Sequence, residues 1–307
     1  MGHGHHHGAT HTGLSAGERH RSRLAWALAM VAGFSVVELV AALATGSLAL
    51  LSDAGHMFTD ALALGMALAA ITAAARARSR PRAQRSFGLY RLEILAALAN
   101  AGLLLAVAGY VLVEAVGRLR EPDRVAGAPM LLTGVAGLAV TVVAFALLRR
   151  GATESLNLRG AALEVAFDAV SSAGVVVAAL ILLTTGWPYA DPLIAAGIGV
   201  AIVPRALGLG RQALRVLLQA APAHIPLERV RADLAAIDGV VDAHDVHVWT
   251  LTSGMEVATA HLMIRVDADA HGVLDRARQL LTERYHLTHA TLQVEPETHQ
   301  GCQELVW

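Results

Sequence analysis

Residues 48–75 decide the fold, and they read LALLSDAGHMFTDALALGMALAAITAAA, a long apolar stretch with His56 and Asp60 near its middle. At a rise of about 1.5 Å per residue, a helix of this length crosses a hydrocarbon core of about 30 Å. His56 and Asp60 are four residues apart, so they lie one turn apart on the same helix face. Polar groups at such a depth are costly, and we therefore expect partners for them on neighbouring helices.

The composition of the whole chain indicates a membrane protein. Of its 307 residues, 55% are hydrophobic and 16% are charged, and the mean hydropathy is +0.52. This is too apolar for a soluble domain of that length. The formal net charge of -1 argues against a nucleic-acid partner, because phosphate binding needs a basic surplus. The composition therefore predicts that the protein is surrounded by membrane lipid.

Five further apolar stretches are long enough to cross a bilayer. We therefore predict an α-helical membrane protein with six transmembrane helices. The six stretches cover residues 24–45, 48–75, 92–116, 127–148, 158–183 and 189–210.

Arginine placement predicts the orientation of these helices. Arg19, Arg21 and Arg23 precede the first stretch, and six arginines lie between the second and third, whereas the turns after the first and fifth contain no basic residue. Cytoplasmic loops carry the excess of basic residues. We expect both termini in the cytoplasm and the chain in a bacterial inner (plasma) membrane.

The character of the sequence changes after about residue 216, where apolar runs shorten and charges interleave. The periodicities predict the order αββαβ and hence a C-terminal α+β, ferredoxin-like domain. The predicted elements are a helix within 225–239, paired strands within 240–253 and 255–266, a helix near 271–285 and a strand at 290–295.

A second intramembrane pair repeats the spacing of the first. Within RGAALEVAFDAVSSAG at 159–174, Glu164 and Asp168 are again four residues apart. If the two pairs face each other, they supply the four nitrogen and oxygen ligands that a tetrahedral Zn²⁺ site requires. The alternative is that each pair is a polar contact between helices, or that the acids reach out to the membrane interface.

Three segments resemble those of a known family, the cation diffusion facilitators. They are SDAGHMFTDALAL at 52–64, RSFGLYRLEILAALANAGLLL at 85–105 and AHDVHVWTLTSG at 243–254. The resemblance implies a homodimeric antiporter in which each protomer exports a divalent ion from the cytoplasm by alternating access, in exchange for protons. Zn²⁺ is the expected ion, with Cd²⁺ and Co²⁺ as further substrates. The family's H-x-x-x-D motif in the second helix maps onto His56 and Asp60.

The fifth helix departs from the family pattern. Zinc-transporting members usually carry a second H-x-x-x-D there, whereas this chain has Glu164 at the position of the histidine. With neutral His56, three carboxylates then give a more oxygen-rich and more negative ligand set, which favours harder ions. A transporter that prefers Mn²⁺ or Fe²⁺ is therefore an alternative. Three crowded carboxylates cannot all stay ionised when the metal leaves, so we expect at least one to take a proton.

Histidines are concentrated in the C-terminal domain. His244 and His261 fall on adjacent predicted strands, close enough to share an ion. The resemblance adds His289 and Glu295 to this set, and His271, early in the second helix of the domain, is a candidate bridging ligand. Zn²⁺ would then be a structural or regulatory ion as well as the transported substrate. His247 is expected on the opposite face of its strand.

Other classes of function receive less support. The chain has no H-E-x-x-H motif, and GLSAG at 13–17 lies in the polar tail, so we do not expect an enzyme. An intramembrane metalloenzyme and a metal-sensing membrane receptor are the rival functions. The predicted organisation is a His-rich cytosolic tail at 1–23, a transport domain at 24–215 and a cytosolic metal-binding regulatory domain at 216–307. An affinity tag is the alternative origin of the tail.

Overall fold

The computed structural model describes residues 21–62, 87, 89–149, 156–252 and 254–299. The His-rich tail and the last part of the second apolar stretch lie outside these residues. The described chain divides into two compact units, of which the first contains residues 21–62 and 102–206 with its gap at 150–155, and the second contains residues 87–101 and 207–299 without 88 and 253.

Long helices form the first part of the chain. Five of them are long and apolar enough to cross a membrane, which confirms five of the predicted spans, and residues 48–62 are helical as far as the second span is described. The helices are α1 (Arg21–Thr45), α2 (48–62), α3 (Arg91–Arg120), α4 (Gly127–Arg149), α5 (Leu156–Thr185) and α6 (Ala190–Leu217).

Glycines allow helix α4 to pack closely against α1 and α5. A Cβ atom on Gly134 would lie 3.1 Å from the side chain of Val175 and 3.4 Å from the backbone nitrogen of Val176. On Gly137 it would lie 2.8 Å from the ring of Phe34 in α1. Small residues at helix contacts let backbones approach, which is how membrane helices gain packing contacts in the absence of a hydrophobic driving force.

Helix α2, which carries His56 and Asp60, is fixed at its first turn by a carboxylate from another helix. Asp191 in the first turn of α6 accepts hydrogen bonds from the hydroxyl of Ser47 at 2.5 Å and from the backbone amides of Leu48 at 2.8 Å and Ala49 at 3.2 Å. These amides belong to the first turn of α2, where no intrahelical acceptor exists. Asp191 therefore caps α2 and fixes where the helix begins.

We predict that Gly134→Val destabilises the membrane domain, because a Cβ there already lies 3.1 Å from the side chain of Val175 and 3.2 Å from that of Val176, and the two further methyl groups enter the same crowded contact. Overpacking of this kind costs about 1–3 kcal/mol. The thermal unfolding midpoint of the purified protein in detergent is the measurement. Gly109→Val in α3 is the matched control, since a Cβ on Gly109 meets nothing within 4 Å. Equal midpoints for the two variants would contradict the close approach of α4 and α5.

The C-terminal domain has the predicted order αββαβ. Its elements are α7 (Leu227–Ala235), β1 (Val240–Thr252), β2 (Met255–Ile264), α8 (Ala270–Tyr285) and β3 (His289–Pro296). The strands form one sheet in the order β1-β2-β3, in which β1 and β2 are antiparallel and β2 and β3 are parallel. The sequence predicted the strands and the hairpin, whereas the parallel pairing of β3 is a finding of the structure.

One face of this sheet packs against both helices. Alternate residues of β2 from Ala258 to Ile264 are buried with residues of α7 and α8. The hydroxyl of Tyr285 in α8 donates a hydrogen bond to Asp233 in α7, and burial together with this bond raises the pKa of Tyr285. The residues between them in β2, including His261, therefore lie on the opposite face of the sheet.

A β-bulge in β1 changes the face on which His247 lies. His244 pairs with His261 and His247 pairs with Thr259, so three residues of β1 span two residues of β2. Asp245 has a φ of 48° within this irregular segment. Because residues paired across strands share a face, His247 lies on the same face as His244. The expectation that simple alternation places His247 on the opposite face was wrong.

Candidate metal centres

Three polar side chains meet between α2 and α5 in the apolar core of the first unit. The Nε2 atom of His56 lies 3.7 Å from Oδ2 of Asp60 and 3.6 Å from Oδ1 of Asp168. The side chains of His56 and Asp168 are 1% and 4% exposed. Both of these carboxylate oxygens are buried, and neither has a hydrogen-bond partner among the residues that the structure describes. Buried polar atoms without partners are rare and indicate a site for a ligand.

The spacing of these atoms suits a small metal ion. A tetrahedral Zn²⁺ ion holds nitrogen and oxygen ligands at about 2.0–2.2 Å, which places neighbouring ligand atoms about 3.3–3.6 Å apart. The distances from His56 are at the upper end of this range or just beyond it. All three candidate ligand atoms lie within 4.8 Å of one another. A small movement of the three side chains toward one another would complete a three-ligand site, with a position left for a fourth group.

A buried aspartate holds the two ligand-bearing helices together. Asp53 precedes His56 by one turn on α2, is fully buried, and accepts hydrogen bonds from the hydroxyls of Ser171 and, at 2.8 Å, Ser172 on α5. Ser171 follows Asp168 by three residues and also donates to the carbonyl oxygen of Asp168 at 3.1 Å. The contact therefore sets the relative position of His56 and Asp168.

The structure does not bring Glu164 into the group of three. Its side chain is 51% exposed and forms an ion pair with Arg205 of α6, whose own side chain is 32% exposed. Arg205 also places Nη1 3.1 Å from Nε2 of His56 and its guanidinium carbon 4.6 Å from the ring centroid of Phe167. As a ligand, Glu164 stays a prediction from the sequence.

A second group of candidate ligands lies on the face of the C-terminal sheet opposite to α7 and α8. His244 and Glu295 are buried, and the imidazole rings of His244 and His261 are 5.4 Å apart. The Nδ1 atom of His261 lies 3.3 Å from Oε1 of Glu295. One ligand atom of each residue lies within 4.8 Å of the other two. The strand pairing thus brings together three of the five residues predicted for this site.

A carboxylate orients the first of these histidines. Asp242 Oδ2 lies 3.1 Å from Nδ1 of His244, so that nitrogen carries the proton and donates it. The Nε2 atom of His244 is left with a lone pair, and it is buried and has no partner among the described residues. A carboxylate on the far nitrogen of a metal-binding histidine is the usual outer contact of such sites, because it fixes the ring and raises its basicity.

The two remaining predicted residues lie elsewhere in the chain. The side chain of His271, at the start of α8, is 86% exposed, and its Nε2 atom lies 3.9 Å from Oδ2 of Asp275. His289 is exposed at the start of β3, six residues from Glu295, a distance of roughly 20 Å along a strand. Their roles as ligands stay predictions.

The sequence and the two groups agree with one family. Residues 24–218 match the family described as the cation efflux transmembrane domain, and residues 222–297 match the cytoplasmic domain of cation efflux proteins. The chain belongs to the cation efflux family. These proteins are the cation diffusion facilitators of the earlier resemblance, and the candidate ligand groups fall one in each matched region.

Relatives in the cation efflux family match the chain along nearly its whole length. The cation efflux system protein CzcD of Alcaligenes sp. (strain CT14) is 40% identical over 94% of this chain and 90% of its own. Zinc transporter ZitB of Pectobacterium atrosepticum is 37% identical over 98% of this chain and 90% of its own. A Bacillus subtilis protein named cadmium, cobalt and zinc/H(+)-K(+) antiporter is 31% identical over 97% of this chain and 93% of its own.

Sequence reasoning missed three residues that build these groups. Asp53 and Arg205 are ionisable residues within apolar stretches, and that property alone could have marked them as functional candidates. Asp242 is two residues from His244 in a predicted strand, which places both on one face. The partners of all three depend on helix or strand contacts that spacing along the chain does not specify.

We predict that the double variant His244→Ala, His261→Ala binds fewer metal ions than the wild type, because it loses two of the three converging ligands. Equilibrium dialysis of the purified full-length protein against Zn²⁺ measures the number of ions per protomer. His247→Ala is the control, since His247 lies on the same strand and face but outside the group of three. An unchanged stoichiometry in the double variant would argue against metal binding at the sheet.

Proposed function

We propose that this protein exports divalent metal ions, with Zn²⁺ as the principal substrate, from the cytoplasm by alternating access in exchange for protons. The observation that carries the proposal is the convergence of His56, Asp60 and Asp168 in the core of a cation efflux domain. Three ligands, of which Asp60 and Asp168 have a buried oxygen with no hydrogen-bond partner among the described residues, suit an ion that must bind and then leave. A closed four-ligand site is instead typical of a structural ion.

The choice of ion rests on the donor set. One imidazole nitrogen and two carboxylate oxygens form the mixed shell that suits Zn²⁺, Cd²⁺ and Co²⁺, whereas Mn²⁺ prefers oxygen alone. Because Glu164 forms an ion pair with Arg205, the ligand set contains fewer carboxylate oxygens than the sequence predicted. A set with fewer oxygens is less favourable for the harder ions Mn²⁺ and Fe²⁺. The names of the relatives, a zinc transporter and a cadmium, cobalt and zinc antiporter, support the same order.

Exchange for protons follows from the charge of the site. Asp60 and Asp168 repel each other when both are ionised at short distance in an apolar surrounding. A divalent ion relieves this repulsion, and when the ion leaves, protons can take its place. Protons taken up from the side to which the metal is released would then favour the conformation in which the site is open to the cytoplasm again.

The organisation we propose for the transporter is that expected from the sequence. Six helices at 24–215 span a bacterial inner membrane with both termini in the cytoplasm, preceded by a cytosolic tail at 1–23. Residues 216–307 form a cytosolic ferredoxin-like regulatory domain in a homodimer, which the match to the cytoplasmic domain supports. Zn²⁺ held by His244, His261 and Glu295 would favour one arrangement of the two cytosolic domains. His271 and His289 could add ligands there from the partner protomer.

Ion flux into proteoliposomes tests the proposal. With the cytoplasmic side facing outward and an acidic lumen, we expect the wild type to accumulate Zn²⁺ faster than without a pH gradient. Asp60→Ala should reduce the rate by more than tenfold, because even an outer-shell partner of a metal ligand is worth about 10–100-fold in affinity. Glu121→Gln is the control, since it removes an exposed carboxylate at the end of α3.

Each part of the proposal has its own contrary result. A wild-type rate in Asp60→Ala would refute the site, and a rate independent of the gradient would refute proton exchange. Faster uptake of Mn²⁺ or Fe²⁺ than of Zn²⁺ would establish the alternative selectivity. Binding of Zn²⁺ without any flux would favour a metal-sensing receptor.

A further inference from the structure

Arg205 makes a contact that a metal ion at the proposed site has to replace. An arginine side chain has only donors, so the nitrogen of His56 that faces Nη1 at 3.1 Å must be the acceptor. That nitrogen is Nε2, the same atom that lies nearest to the carboxylates of Asp60 and Asp168. A neutral imidazole has one lone pair, and it can either accept from Arg205 or bind a metal ion, but not both.

We propose that Arg205 is a tethered cation that competes with the transported ion for His56, and that Glu164 is the counter-ion of Arg205 rather than a metal ligand. This inference rests on the transport site proposed above. In the bound state the guanidinium gives up His56 and remains with Glu164. In the released state it returns to His56 and supplies a positive charge beside the two aspartates.

The charges of the four groups support this assignment. Asp60, Asp168 and Glu164 contribute three negative charges when ionised, and Arg205 contributes one positive charge, so the group carries a net charge of minus two. A divalent ion brings this sum to zero. The Glu164–Arg205 pair is neutral overall, so it has the same net charge as the neutral histidine that the resemblance leads us to expect at position 164.

The positions of the side chains give each member of the pair a distinct role. Glu164 is half-exposed and His56 is buried, and Arg205 reaches both. The ring of Phe167 lies against both the guanidinium and the imidazole, with its centroid 5.7 Å from that of His56. The guanidinium can therefore shift from His56 while keeping its contacts with Glu164 and Phe167. The alternative is a structural role, in which Arg205 and Glu164 only neutralise each other within an apolar surrounding.

A double-mutant cycle on Arg205 and Glu164 separates these roles. We expect Arg205→Gln to bind Zn²⁺ roughly tenfold more tightly and to transport it more slowly, because it removes a competing positive charge. Glu164→Gln should bind roughly tenfold more weakly, since the guanidinium loses its other partner and stays on His56. The tenfold figure is discounted for the partial exposure of both side chains. Glu164→Gln with Arg205→Gln restores the net charge, and its affinity should return to within about threefold of the wild type.

Zn²⁺ affinity is measured by competition with a fluorescent chelator, and turnover is measured in proteoliposomes. Both measurements use the full-length protein with His244→Ala and His261→Ala, so that the cytosolic site does not contribute. Opposite effects of the single variants with restoration in the double variant support the proposal. If Glu164 is a metal ligand, the double variant stays as weak as Glu164→Gln. If the pair is only structural, both single variants change affinity in the same direction. Either of these two results overturns the proposal.

Two controls keep the outcome interpretable. Arg205→Lys retains a positive charge and should bind Zn²⁺ closer to the wild type than Arg205→Gln does, which distinguishes competition from loss of folding. Asp60→Asn should abolish binding in the same assay. If Asp60→Asn bound Zn²⁺ normally, the transport site itself would be wrong; if it lost binding while the cycle failed, only the roles of Arg205 and Glu164 would be wrong.

Discussion

The cost of an ionised carboxylate in an apolar surrounding constrains the whole membrane domain. Asp60 and Asp168 lie close to one imidazole in a helix bundle, where each negative charge needs a nearby positive one. A divalent ion can meet that need, and Arg205 meets part of it from within the chain. The site is thus built so that the presence of a cation is favourable but no single cation is permanent.

The same constraint explains why the helices are joined by polar side chains at a few points. Asp53 receives two serine hydroxyls from α5, and Asp191 receives a hydroxyl and two amides at the start of α2. Both of these buried carboxylates accept hydrogen bonds from donors on another helix, which makes the contacts directional as well as favourable. Glycines such as Gly134 let α4 approach α5, the helix that carries Ser171 and Ser172. The candidate metal ligands on α2 and α5 are thus positioned by hydrogen bonds that the ligand atoms themselves do not form.

The C-terminal domain reaches a similar ligand group by different means. Its hydrophobic core occupies one face of a small sheet, and His244, His261 and Glu295 occupy the other. Their proximity depends on strand register, and the bulge near Asp245 lets β1 carry an extra residue without disturbing the core face. Because Asp242 holds Nδ1 of His244, the other ring nitrogen, Nε2, keeps its lone pair. In both candidate ligand groups, an outer polar contact positions an inner candidate ligand.

Local patterns in the sequence determined the apolar helices, the order αββαβ and the candidate residues His56, Asp60, Asp168, His244 and His261. These features depend on hydrophobic periodicity and on spacing within one element, which a sequence displays directly. Only the tertiary structure decided that Glu164 pairs with Arg205, that Asp53 joins α2 to α5, and that β3 pairs with β2 in parallel. Spacing gives the face of a helix on which a side chain lies. It does not say which neighbouring helix meets that face, and a charged residue pairs with whichever opposite charge the packing brings within reach.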